Sequence, residues 1–433
     1  MSHLKYSHLQ DAGSHSLGDI KNIAIIASAS RAGSSLMFHL LRQLPNIYAL
    51  TGETVPLLKV NSIESILSDA ISEPFRFDKE TLSNLAVDLV SDFAVWGDEP
   101  DLRKDKELQD KYIHDLALRF ALQWPDVDFN FSEFYYNAKT ILSQSLHTGP
   151  FDVEEFYLEL LNWLGRRHPV INPYYYDLPI EKISRRFPWM RIPDGPPSDT
   201  IIEEPPFILA RPHRPITREE LVNKTLLIKD PVNSFRFQFW ANTFPNAQIR
   251  IIHLVRNPAS SINGLYDGWL HRGFFSFDIR QFLPSALNIK GYSDRFAWGK
   301  WWWNFDRPPG WQNYAEANLW EVCAFQWASN NAAILDFLDG SKIEHCMIRF
   351  EEIVNTFETR SLAFSRIAEF LGVGGNVWKI MDHDLPVIQR TNMPYPFRWK
   401  RREREILNVI NSADLARLSD SLGYPVKNKE RWI

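Results

Sequence analysis

Between Ile23 and Leu36 an apolar run gives way to Ser28, Ala29, Ser30, Arg31, Ala32, Gly33, Ser34 and Ser35, all of them small except Arg31, and then to a helical pattern. Small side chains let the main chain approach an anion. The amides at the helix start, with the hydroxyls of Ser34 and Ser35, donate hydrogen bonds to it. The loop has the length of a nucleoside triphosphatase loop, but Ser28 replaces its first glycine and Ser34 its lysine, the group that reaches the outer phosphates. Arg31 is the single basic residue inside it. The chemistry this predicts is the holding of one terminal phosphate or sulfo-phosphate without a metal. Two more cations stand where apolar runs end, Lys229 before Asp230-Pro231 and Arg256 before Asn257-Pro258.

These charges can meet only if the elements beneath them form one sheet. A strand at 23–27 precedes the loop, and a helix carrying Leu36, Leu40, Leu41 and Leu44 follows it until Pro45. A second strand at 224–229 leads into a helix through Phe235, Phe239 and Trp240. The third, 248–255, is almost continuously apolar, as in a strand buried on both faces of a parallel sheet. A fourth unit runs from a strand at 346–350 into a helix over 362–371, stopped by Gly372. Strand, loop and helix thus recur four times. The fold class this predicts is α/β: a P-loop-like parallel sheet flanked by helices, with loops gathered at the carboxyl ends of the strands, where open sheets bind ligands.

Residues 62–200 read differently. Leu82, Leu85, Leu89 and Phe93 form one helical stripe, Tyr112, Leu116 and Phe120 another, and Phe156, Leu160 and Trp163 a third. The predicted division is a flexible arm at 1–22, an α/β core from 23–61 and 201–433, and a large mainly helical insertion at 62–200 that shapes an acceptor site. A net charge of -5 argues against a general nucleic-acid surface. No run of 18 apolar residues and no leader-like start point to a cytoplasmic protein with no membrane contact. Cys323 and Cys346 fit neither a disulfide framework nor a zinc site. Among 16 tryptophans, three are consecutive at 301–303, which suggests an aromatic pocket wall. If Asp267 or Asp306 joined those rings, the pocket would suit a cation. An oligomer is possible, but nothing in the sequence indicates one.

The segment Ser30-Arg31-Ala32-Gly33-Ser34-Ser35-Leu36 resembles the 5′-phosphosulfate loop of sulfotransferases that use 3′-phosphoadenosine-5′-phosphosulfate (PAPS), and Arg256-Asn257-Pro258-Ala259-Ser260-Ser261 resembles their 3′-phosphate segment. The stretch from Lys229-Asp230-Pro231 through Phe244-Pro245-Asn246-Ala247 to Arg256 is similar to tyrosylprotein-type and bacterial members. Arg349-Phe350-Glu351-Glu352-Ile353-Val354 and Ile367-Ala368-Glu369-Phe370-Leu371-Gly372 resemble the late strand and helix. The resemblance implies PAPS as cofactor, adenosine 3′,5′-bisphosphate as product, and no metal. It implies that Arg31, Ala32, Gly33, Ser34, Ser35 and Leu36 hold the 5′ end, with Lys229 near the bridging oxygen, where charge develops on the leaving phosphate. Arg256 with Ser260 or Ser261 would hold the 3′-phosphate. The family places a serine eight residues after that arginine, where this chain has Gly264, so either Asn263 or the Gly264 amide would replace the hydroxyl or the helix begins differently. Phe350 is expected near adenine, and Arg398, Lys400 and Arg401 resemble a late Trp-basic segment that closes over the nucleotide.

A general base is also needed. Cytosolic members use a histidine two residues after the strand-end lysine, a position held here by Pro231; tyrosylprotein-type members use a Gly-Glu segment, which Gly52-Glu53 resembles with a one-residue offset. Glu53 is the first candidate for the catalytic base, Lys229 and Arg31 are the other expected catalytic residues, and His213 or His271 are the alternatives for the base. The expected partner is a small-molecule acceptor, such as a bacterial specialised metabolite, sulfated on a hydroxyl or on an amine. A P-loop small-molecule kinase and a non-catalytic nucleotide-binding module remain as rival readings.

Overall fold

A computed structural model describes residues 17–63, 78–97, 101–230, 232–374, 384–388 and 394–433. Most of the arm expected at 1–22, parts of the expected insertion (64–77 and 98–100), and Pro231 lie outside the described residues.

The sheet has seven strands in the order β4-β3-β2-β5-β1-β6-β9. These are β1 (Asn22–Ala27), β2 (Ile47–Leu50), β3 (Phe93–Val95), β4 (Arg214–Pro215), β5 (Thr225–Lys229), β6 (Gln248–Val255) and β9 (Glu344–Arg349). From β2 to β9 every pairing is parallel. β5, β1 and the end of β6 are buried, as strands covered by helices on both faces must be. Alternation divides their side chains. Ile23, Ile25, Leu226 and Ile228 enter one core layer, and Ala24, Ile26, Leu227 and Ile252 enter the other. The register sets Ile26 beside Lys229 and Val255 beside Arg349, so neighbouring strands end nearly level.

One edge departs from the all-parallel expectation. Inside the stretch read as helical, Phe93–Val95 forms β3, which pairs antiparallel with β2 and with β4. The helix Lys79–Asp92 ends as Phe93 turns to φ -68, ψ 129. Phe93 occupies the next i+4 position after Leu85 and Leu89, so the apolar stripe passes through the switch without a break.

Among the described residues, the rest of that stretch is mainly helical up to Arg167, followed by the short helices Pro173–Tyr175 and Ile180–Arg186 and then turns and irregular backbone over 187–200. The helices Lys106–Gln123, Phe131–Thr148 and Val153–Arg167 each start at a side-chain cap, Asp105, Asn130 and Asp152, which accepts from a first-turn amide. Their apolar faces meet in an aromatic core that includes Tyr112, Phe120, Trp124 and Tyr157. A two-stranded ribbon pairs β7 (Phe277–Asp278) with β8 (Trp302–Trp303). Trp302 faces the helical core, while Trp303 faces a second core built on the helices Pro258–Trp269 and Leu319–Gly340. Consecutive strand residues point to opposite faces, so the tryptophan run joins two cores.

Candidate functional site

Five adjacent strands deliver five of the sequence-selected groups at their carboxyl ends. In spatial order these are Glu53 after β2, Lys229 closing β5, the loop with Arg31 after β1, Arg256 after β6, and Phe350 after β9. Residues more than 300 positions apart in the sequence therefore share one rim.

At the β1 end, Arg31 adopts φ 66 and Gly33, the cap of the helix Ser34–Leu41, adopts φ 99. A Cβ on Gly33 would lie 2.1 Å from the Phe350 ring, so this residue must be glycine for the aromatic ring to cover the helix start. The main chain turns as the Ala32 amide donates to the Ala29 carbonyl at 3.2 Å. Ser30 does not face the loop interior: its hydroxyl donates to buried Asp306 at 2.9 Å, whose other oxygen accepts from Asn330 at 2.6 Å. Burial lifts the Asp306 carboxyl to about 6, with Asn330 and Ser30 opposing the rise.

Arg31 lies 5.6 Å above the Phe274 ring. Burial, then the charges of Arg256 and Arg398, bring its guanidinium down to about 10, while Asp267 and Asp177 act the other way. Arg256 donates to the Arg31 carbonyl at 3.1 Å and sits 4.6 Å from the Phe350 ring centre. Its buried Nε finds no hydrogen-bond partner among the described residues. Burial also lowers its proton affinity, Glu351 acts against that, and Arg398 adds to it.

The residues after Arg256 are not equivalent. Asn257 caps the helix Pro258–Trp269 by accepting from the Ser260 amide at 2.7 Å. The Ser260 hydroxyl donates to the Ile433 main-chain oxygen at 3.0 Å, and Asn263 accepts from Arg402 at 2.9 Å. The buried Ser261 hydroxyl has no partner among the described residues. Gly264 packs against Arg31. A Cβ there would approach the Arg31 Cβ to 3.2 Å, which accounts physically for the missing serine.

The late basic residues divide. Arg398 bonds Asp267 at 2.9 Å and lies within electrostatic range of Arg31 and Arg256. Lys400 pairs with Glu430 at 3.5 Å on the surface, and Arg401 lies over Tyr395. Arg402, the last residue of the same basic segment, bonds Asp267 at 2.6 Å and anchors the segment on the helix Pro258–Trp269. The idea of Asp267 or Asp306 as an open carboxylate in an aromatic pocket does not hold. Asp267 already receives two arginines, and Asp306 receives Ser30 and Asn330.

At the β2 and β5 ends, the Lys229 ammonium donates to Glu53 Oε1. The lysine side chain is 6 % exposed and the glutamate side chain 27 %. The second Glu53 oxygen bonds no described residue. One residue further along each chain segment, Asp230 Oδ2 accepts from both the amide of Thr54, at 3.1 Å, and its hydroxyl. Thr51 is pinned in turn by its amide, which donates to Asp92 at 3.0 Å, and Arg119 donates to its hydroxyl at 3.4 Å and to Glu203 at 3.0 Å. Sequence reasoning missed Asp230 and Thr54, although each adjoins a selected residue.

The two histidines part company. His213 stands 3.1 Å from Lys111 and 3.7 Å from Asp115, against Trp96, and no hydrogen bond or ion pair joins it to Glu53 or Lys229. Burial, then the Lys111 charge, depresses it to about 4. His271 lies on the Arg31 side, accepting from the Gly273 amide at 3.0 Å, and burial, then Arg31, also lowers it to about 4.

No family model matches the chain, and no curated protein matches it. It is similar over nearly its whole length to three solved structures. The Sulfotransferase Domain from the Curacin Biosynthetic Pathway is 12 % identical, with TM-score 0.38, over 94 % of this chain and 98 % of that one. The Sulfotransferase Domain from the Synechococcus PCC 7002 Olefin Synthase is 14 % identical, with TM-score 0.33, over 94 % and 98 %. A Sulfotransferase from Alicyclobacillus acidocaldarius is 13 % identical, with TM-score 0.36, over 95 % and 99 %.

Proposed function

We propose that the protein is a PAPS-dependent sulfotransferase that sulfates a hydroxyl, or an amine, of a small-molecule acceptor. The observation that carries this reading is the contact of Glu53 with Lys229 on the same strand-end rim as Arg31 and Arg256. A kinase reading lacks the loop lysine, since Ser34 stands in its place.

The residues present fit a bisphosphorylated nucleotide. Two buried donors, Arg256 Nε and Ser261 Oγ, lack partners among the described residues, which is costly unless a ligand satisfies them. Arg256 and Ser261 would hold the 3′-phosphate, with the side-chain NH2 of Asn263 on the same helix; the Gly264 amide lies in the interior of the helix Pro258–Trp269, where the helix ladder uses it, and is not available to a phosphate. Arg31 and the amides and hydroxyls at Ser34 and Ser35 would hold the 5′ end, and Phe350 would lie against the base. PAPS, when bound, supplies the sulfuryl group and a nucleotide leaving group.

This chain's own residues then have separable tasks. Glu53 takes the proton of the acceptor hydroxyl on its second oxygen, which is not engaged by Lys229. Lys229 keeps a positive charge at the rim, available to the oxygen on which negative charge collects. It is well placed for this because its side chain is almost wholly withdrawn from water, where such a charge acts most strongly. Calorimetry tests the nucleotide assignment: adenosine 3′,5′-bisphosphate should bind at least about tenfold tighter than ADP, the worth of one charge-assisted contact. Tighter ADP binding would favour phosphoryl chemistry instead.

A further inference from the structure

Glu53 and Thr54 are joined to Lys229 and Asp230 by two contacts that run residue for residue, each across 176 positions of sequence. The outer contact is an ion pair; the inner one is a carboxylate that accepts twice from a single threonine. We propose that Asp230 is the positioning residue for Glu53, holding the Glu53–Thr54 segment against the end of β5 and completing a two-carboxylate, one-lysine cluster that governs the base. This rests on the reading of Glu53 given above.

The geometry carries the inference. Asp230 is 1 % exposed, its Oδ2 is spent on Thr54, and its Oδ1 is buried without a partner among the described residues. A side chain so placed cannot reach an acceptor or a nucleotide through Oδ2, and it is bonded to the residue next to the base. The charges facing it are Glu53 from the segment after β2, Lys229 from β5, and Arg236 from the turn before the helix Phe237–Thr243. Two carboxylates beside one lysine resist being ionised together. In keeping with that, burial first and Glu53 second raise the Asp230 carboxyl to about 7, against Thr54, Arg236 and Lys229. Protonation of Asp230, which burial and Glu53 both favour, would leave the Lys229 charge to Glu53 alone.

The test uses the full chain and the variants Asp230→Asn, Thr54→Val, Glu53→Gln and the double variant Asp230→Asn/Thr54→Val. With carbon-13 carboxyl-labelled aspartate, one resonance, absent in Asp230→Asn, should titrate near neutrality and move to lower pH in Glu53→Gln. In sulfuryl transfer, Asp230→Asn should lower kcat by about tenfold or more, the scale of a slightly misplaced catalytic group. KM and the affinity for adenosine 3′,5′-bisphosphate should stay within about twofold. The double variant should be no slower than the slower single one, because both remove the same link. A resonance that titrates in the ordinary aspartate range, or that ignores Glu53→Gln, overturns the proposal, as does a loss confined to nucleotide affinity. If the wild-type chain transfers no sulfuryl group, the reading of the reaction fails, while the titration still decides whether Asp230 and Glu53 form one cluster.

Discussion

Gly264 faces Arg31: a Cβ built on the glycine would stand 3.2 Å from the arginine's Cβ, with the Arg31 carbonyl just beyond it at 3.9 Å. The absent side chain is thus what allows the loop after β1 to lie against the helix after β6. Replacing Gly264 with alanine should favour the helix by about 0.5–1 kcal/mol and simultaneously push the Arg31 segment outward by a few tenths of an ångström. The expected result is a melting temperature at or above that of the wild type together with a several-fold loss of affinity for adenosine 3′,5′-bisphosphate, read by calorimetry. Unchanged affinity would mean that the packing of these two residues does not set the loop.

Arg256 discriminates between nucleotides if its unpartnered Nε serves a 3′-phosphate. Arg256→Ala should weaken binding of adenosine 3′,5′-bisphosphate by roughly 10- to 100-fold, the range for a hydrogen bond to a charged group. Binding of adenosine 5′-monophosphate should hardly change. Equal losses for both ligands would assign Arg256 to the shared part of the nucleotide.

Much of this rim is legible in the sequence, for a physical reason: a strand buried on both faces must be apolar, so a charge immediately after it marks the strand end. Lys229 and Arg256 stand out in this way, and Arg31 stands out among residues chosen for smallness. β3 is hidden because Phe93 continues a helical stripe. The Asp230–Thr54 contact is hidden because nothing local distinguishes a buried aspartate from a turn residue after a strand. The tether from Ser30 to Asp306 spans 276 positions and has no periodic signature. The late basic run looks uniform in sequence, yet Arg398 and Arg402 turn inward to Asp267 while Lys400 pairs on the surface, a division made by the short 3-10 turn Arg398–Arg402.

The Ser30 tether gives a pH signature. Folding raises the Asp306 carboxyl from 3.8 to about 6, so the folded protein retains a proton that the unfolded chain has lost. Asp306 therefore contributes stability that is fully present below about pH 4 and is lost as pH rises through about 6. Asp306→Asn abolishes this dependence at the cost of the Asn330 contact. Its melting temperature relative to the wild type should climb between pH 4 and pH 6.5 and then level off; a flat difference across that range would contradict the assignment.

His213 gives the opposite sign. Its depression from 6.5 to about 4 means that the folded protein keeps the ring neutral, so its contribution is present above about pH 6.5 and lost as pH falls through about 4. His213→Gln should therefore blunt acid destabilisation over that window. It should also leave sulfuryl transfer within about threefold of the wild type, since a residue that touches no reacting group lies outside the concerted machinery. A hundredfold loss of kcat at neutral pH would move the base assignment to His213.

The central claim is that Glu53, held by Lys229, takes the acceptor's proton. The direct measurement is single-turnover transfer of labelled sulfuryl from PAPS by Glu53→Gln, run beside calorimetry of the same variant with adenosine 3′,5′-bisphosphate. The account predicts nucleotide affinity within about threefold of the wild type and a transfer rate at least about 100-fold lower, the usual scale for loss of a general base. Transfer at the wild-type rate by Glu53→Gln, with the nucleotide bound normally, would contradict it.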